Sequence, residues 1–366
     1  MKRRTLAVAA GSLLGAALLA LGLACATSGC GTVGYYGQSV RGHLGLMWQA
    51  RPVDDWLADP ATDPALRKRL ALAKDLRAWA VHELQLPDNA SYRRYAPLDR
   101  PAAVWNVVAA PALSLTLKTW CFPVMGCVGY RGYYDRADAD AEAAALRAAG
   151  WEALVYGVPA YSTLGWTNWL GGDPLLSTFI RWPDAELARM LFHEMAHQVV
   201  YVGDDTVFNE SYATAVERLG VQRWLAEQGT PAAREAYAEY DGRRQQFRAL
   251  TRAARADLER IYADPALDDA AKTAAKAERW ARLRADFELL KRTEWHGFAG
   301  YDRWFEQAAQ APNAALGIQA AYDALVPAFE RLFEREGRDF PRFYDAVRAL
   351  AHLPKDQRAA TLRDLS

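Results

Sequence analysis

The feature that most constrains this chain is His193-Glu194-Met195-Ala196-His197, with Asn209-Glu210 arriving after a short gap. Histidines four apart share one helix face, so both imidazoles can reach one ion while Glu194 stands beside the ion's remaining position. The surrounding residues support a helix: Pro183-Asp184 is a start signal, Leu187, Met190 and Leu191 form an apolar stripe, and the pattern runs on through Val199 and Val200 to a stop at Gly203. Two satisfied core histidines would give the same letters. The carboxylates that follow favour a metal site, for which zinc is the expected ion.

Two carboxylates, Glu210 and Glu217, could complete the site, and their spacing of seven puts them on one face of a second helix. If that helix is capped by Asp205 or Thr206 and returns antiparallel, His197 lies about 9 Å below the turn and Glu210 about 6 to 8 Å. Glu217, at about 17 Å, is closer to the level of His193. The levels permit both and favour Glu210. In the chemistry this arrangement suggests, the metal activates water for attack on an amide and Glu194 serves as general base.

The segment Asn209-Glu210-Ser211-Tyr212-Ala213 resembles the N-E-x-[FY]-A stretch that follows H-E-x-x-H in gluzincin aminopeptidases. Wider wording, in Tyr161-Ser162-Thr163-Leu164-Gly165-Trp166 and Asp173-Pro174-Leu175-Leu176-Ser177-Thr178, is similar to the bacterial putative aminopeptidase lipoproteins. The resemblance implies a zincin-like helix pair beside a small sheet, zinc held by His193, His197 and Glu210, an aminopeptidase acting on peptides, and a tyrosine oxyanion donor, for which Tyr161 is the candidate. One departure stands out. Only 12 residues separate His197 from Glu210, against roughly 18 or 19 in the aminopeptidase N and thermolysin types, a spacing that by itself would select Glu217.

The N-terminus reads as an export signal over residues 1–29, with Met1-Lys2-Arg3-Arg4 before an apolar run from Leu6 to Ala24. A retained membrane helix is the competing reading. Cys25 and Cys30 both follow lipobox-like residues, and the resemblance to the lipoproteins favours Cys30 as the anchor, which would place the protein on the periplasmic side of the envelope. In such a compartment Cys121 and Cys127, enclosing five residues, are expected to form a local disulfide. The 44 basic residues balance 44 acidic ones and no basic stripe occurs, so nucleic acid is not an expected partner.

The expected fold is α+β and predominantly α-helical, with a catalytic region at 30–220 and a helical region at 221–366 packed on it. Residues 35–85 have helical apolar spacing broken by Pro52, Pro60 and Pro64. Strands are expected at 103–109, 113–119 and 153–158, the last after an Ala-rich helix. An edge strand of such a sheet could hold a peptide backbone against the metal. Beyond Gly220 two long helices form a hairpin about Pro265, and Trp295, Phe298, Tyr301, Trp304 and Phe305 read as core. Two rival functions fit the same residues: an envelope lipoprotein with a structural zinc, or a zinc hydrolase of another envelope amide. A structural zinc would want a fourth protein ligand, and none is evident in the sequence.

Overall fold

A computed structural model of the chain describes residues 30–122, 126–160, 162–165, 168–321 and 324–365. Helix α1 (Cys30–Gln49) leads into strand β1 (Arg51–Pro52), α2 (Val53–Ala58) and α3 (Pro64–Glu83). Prolines start the latter two, and the Asp63 carboxylate accepts from Leu66 N to cap α3. Then come β2 (Arg94–Ala96), β3 (Val104–Pro111), β4 (Trp120–Phe122), β5 (Gly126–Val128), β6 (Arg131–Tyr133), α4 (Arg136–Ala148), β7 (Trp151–Val158) and β8 (Leu175–Leu176). The rest is helical: α5 (Asp184–Ala196), α6 (Thr206–Gln228), α7 (Pro231–Ala263), α8 (Asp269–Thr293), α9 (Asp302–Ala308), α10 (Pro312–Ala321), α11 (Val326–Arg335), α12 (Phe340–Ala351) and α13 (Lys355–Asp364). The architecture is therefore the predicted α+β fold with helix predominant.

The sheet beside the site has order β6-β3-β7, and both outer strands run antiparallel to β3. Strands β6 and β7 are thus parallel to each other, joined through α4, with β3 between them. The expected strand at 113–119 does not form. Pro111 ends β3 and a turn follows, with Ser114 N donating to Pro111 O; the segment's link back to β3 is Lys118 N to Ala109 O rather than a ladder.

One core joins both halves of the sequence. Leu70 and Leu76 of α3, Phe192 of α5, Tyr212 of α6, Phe329 of α11 and Phe343 of α12 all bury in it. The expected division at 220/221 falls inside α6, and Gly220 shows why the packing is continuous there: a Cβ on it would lie 2.7 Å from Leu84 Cδ1 and 3.0 Å from Phe192 Cδ2. Trp295 and Phe305 bury against Phe247 and Phe287 of the α7–α8 hairpin, forming a second core.

Candidate metal centre

Helix α5 opens after Pro183 and stops at the motif itself, with His197 as its C-cap. The apolar pattern predicted continuation past Val199. Instead the final turn tightens, with Gln198 N and Val199 N bonded to Met195 O and Ala196 O. The chain then returns quickly. Asp205 caps α6 by accepting from Phe208 N at 3.1 Å, and Asn209 closes the loop through both its amide atoms: Val202 N donates to Oδ1 at 2.8 Å and Nδ2 donates to Val202 O at 2.7 Å. This clamp is what lets Glu210 arrive so early. Arg358 of α13 secures the cap from behind, donating twice to Asp205 Oδ2 at 3.0 and 2.7 Å in a buried contact.

At the mouth of this helix pair His193 Nε2 and His197 Nε2 lie 3.1 Å apart. Glu210 Oε2 is 3.3 Å from the first and 3.7 Å from the second. The three ligand atoms fall within 4.8 Å of one another, so the group can hold a metal ion. Glu217 takes a different position, level with His193, where its Oε2 accepts from His193 Nδ1 at 3.0 Å. That bond leaves His193 Nε2 as the nitrogen facing Glu210 and fixes the ring. Glu217 Oε1 in turn accepts from Arg189 Nε at 2.7 Å; Arg189 pairs with Glu186 at 3.0 Å, and Glu186 with Arg244 of α7 at 2.6 Å.

The electrostatics of the two histidines diverge. Burial acts to lower the pKa of His193, but the Glu210 and Glu217 carboxylates outweigh it and push the imidazole up to about 10. For His197 burial dominates and lowers it to about 4, against the pull of Glu210. Its Nδ1 is buried with no hydrogen-bond partner among the described residues. Burial also raises Glu194 to about 7; His193 opposes this while Glu210, Asp173 and Glu217 add to it. Burial works against the charge on Glu210 and Glu217, yet the histidines, with Arg189 in the case of Glu217, hold both below the usual carboxylate range.

These groups line a cavity of about 1440 Å³. Glu194 faces it without a hydrogen bond from any described residue, and Tyr130, Tyr201, Phe122 and Val128 form part of its wall. Burial keeps Tyr201 protonated, up to about 12, and carries Tyr130 further. Edge strands β6 and β7 reach the cavity at Gly132 and Val158. Cys121 and Cys127 are joined by a disulfide across the β4–β5 hairpin, whose Cys127 N donates to the Asp204 side chain in the α5–α6 loop. Tyr161 and the segment 1–29 with Cys25 lie outside the described residues; Cys30 begins α1, and its side chain is not described.

A family described as putative aminopeptidase matches residues 34–362. The chain belongs to this family. The match runs from α1 into α13, so in this putative aminopeptidase the C-terminal helices are as much part of the family unit as the motif. No curated protein and no solved structure gives a match. Three features of the site were absent from the sequence reading: Arg189 as Glu217's partner, the Asn209–Val202 clamp, and the tyrosines of the cavity wall. Spacing offered a signal for the first, since Arg189 stands four residues before His193 on the same helix face, whereas Tyr201 lies beyond the helix end at His197.

Proposed function

We propose that the protein is a zinc-dependent aminopeptidase in which His193, His197 and Glu210 hold the metal and Glu194 is the general base. The observation that carries this is the convergence of two imidazole nitrogens and one carboxylate oxygen on the wall of a cavity that Glu194 also faces. The donor set suits the ion: two imidazole nitrogens, His193 becoming a donor once it gives up its proton, and an ionised carboxylate, with the first imidazole oriented by a further carboxylate behind it. Zinc bound there would supply Lewis acidity, polarising the scissile carbonyl and making water acidic enough to deprotonate near neutral pH.

The chain's own residues do the rest. Glu194 takes the attacking water's proton at its carboxylate and passes it to the departing amine. Tyr130 and Tyr201, protonated hydroxyls of the cavity wall, are placed to donate to the oxyanion; Tyr161 remains a third candidate. The aminopeptidase label rests on the family match. We further propose export on residues 1–29 and anchoring in the bacterial envelope through a lipid on Cys30.

Glu194→Gln should bind zinc as the native protein does and lose hydrolysis by at least about a hundredfold. Glu210→Ala should lose the metal. A native protein that cleaves only N-terminally blocked peptides would reject the exopeptidase, and one that binds zinc yet cleaves no peptide would point to the structural role instead. Against that role stands the ligand count: among the described residues no fourth His, Cys, Asp or Glu joins the cluster.

A further inference from the structure

Helix α1 has two unlike faces. Tyr35 and Ser39 line the catalytic cavity, while Leu46 and Met47 enter the main core. On an adjoining face Tyr36, Val40, Leu44 and Trp48 recur every four residues and are 38, 59, 38 and 85% exposed, with the Tyr36 ring edge-on to Phe122 of the cavity wall at 6.5 Å. Among the described residues eight large apolar side chains are exposed, and these four are half of them; Trp169, Val207, Tyr240 and Leu289 are scattered singly. Half of the exposed apolar side chains therefore sit on one stripe about 18 Å long. A stripe of this kind marks a contact surface, whereas single exposed residues need no explanation.

We infer that this stripe is a bilayer-contact surface that seats the catalytic cavity against the membrane; the inference rests on the lipid anchoring proposed above. Three observations select a bilayer as the occupant. The first is composition: α1 contains no Asp or Glu, and its one formal charge, Arg41, borders the stripe, which suits anionic headgroups. Helices α7 and α8 by contrast carry charges of both signs throughout. The second is residue type, since Tyr and Trp have amphipathic rings that favour the interfacial zone, and Trp48 is the most exposed of the four. Gly37 and Gly45 leave a shallow groove beside the rings, where an added Cβ would meet nothing within 4 Å.

The third is position in the chain. The undescribed N-terminal segment, with its apolar run from Leu6 to Ala24, ends where α1 begins, and Tyr36 stands only six residues, about 9 Å of helix, beyond Cys30. A lipid on Cys30 would hold the stripe within reach of the headgroups. The cavity wall at Tyr35 and Ser39 would then lie within about one helix diameter, 10 to 12 Å, of the bilayer. The substrates best placed to enter are peptides that themselves reach the membrane interface.

The test is photolabelling of the full-length protein in mixed phosphatidylethanolamine and phosphatidylglycerol vesicles, using a lipid with a diazirine in its acyl chain, followed by peptide mapping. Label is expected in 36–48 as well as at the N-terminus. Val40→Ser combined with Trp48→Ser should reduce the label in that segment by about tenfold, leaving the N-terminal label, zinc binding and cleavage of a soluble peptide unchanged. Label confined to the N-terminus, with 36–48 open to an aqueous reagent or cross-linked to another polypeptide, would overturn the bilayer surface while leaving the anchor intact. Absence of label throughout would overturn anchor and surface together, with peptide cleavage still reporting separately on the enzyme.

Discussion

The two ends of the α5–α6 pair hold their histidines by different means. At the His193 end a charged chain, Glu217–Arg189–Glu186–Arg244, crosses from the site helices into α7. At the His197 end no such chain occurs among the described residues: the ring's Nδ1 has no partner among them, and order comes from the Asn209–Val202 clamp and the Asp205 cap. The first arrangement fixes a side chain directly. The second fixes the backbone that carries Glu210, and leaves His197 to be positioned by packing. The candidate site draws on both, because Glu210 stands only about one turn into α6, where the loop and cap set its height.

The charged end should be the more costly to break. Glu217→Ala would leave Arg189 with Glu186 alone and His193 unoriented, and zinc affinity measured by chelator competition should fall about 100-fold. Stability in denaturant should drop by about 3 to 5 kcal/mol. Unchanged zinc affinity would mean that Glu217 holds the fold and not the ligand. At the other end Arg358→Met should lower stability by about 3 kcal/mol, since Asp205 loses its buried partner, with a smaller effect on zinc. Asn209→Ala removes two hydrogen bonds from the loop and should cost about 2 kcal/mol, with zinc affinity reduced about tenfold as Glu210 loses its height.

The smallest effect is a proton count that separates the histidines. With its pKa raised to about 10, His193 is protonated in the metal-free protein at pH 7, whereas His197, lowered to about 4, is already neutral. Metal and proton compete for the same nitrogen, so zinc affinity should rise with pH up to about 10, and binding at pH 7 should release about one proton. Calorimetry in buffers of different ionisation enthalpy would measure it. Glu194, raised to about 7, can add about half a proton, so the count is made on Glu194→Gln, where release of two protons would show that the ends are equivalent.

Much of this site was legible because it is periodic. His193, His197, Glu210 and Glu217 stand at helical spacings, and a simple rise per residue placed Glu217 near His193, as the contacts show, and Glu210 near His197, although its Oε2 lies closer to His193, 3.3 against 3.7 Å. That arithmetic could not separate ligation from support, because it gives height along a helix but not which nitrogen of a ring is approached. The helix end at His197 was hidden for a related reason: Val199 and Val200 continue the apolar pattern while the backbone has already tightened. Residues 113–119 have strand composition but no ladder to join, a matter of neighbours and not propensity. Arg244 and Arg358 are charges in charged helices like many others, and only tertiary packing reveals that both are buried against carboxylate partners.

The Arg358–Asp205 contact bears on how the protein is made. The residue that caps α6, and so sets where Glu210 stands, is itself held by Arg358, 153 residues further along the sequence. A polypeptide still emerging from the ribosome or the export channel has its motif and Glu210 long before it has Arg358. Such a nascent chain carries the ligands without the brace. The brace on the candidate metal centre therefore forms only once residue 358 has been made, so the ligands and their support arise at separate steps of synthesis.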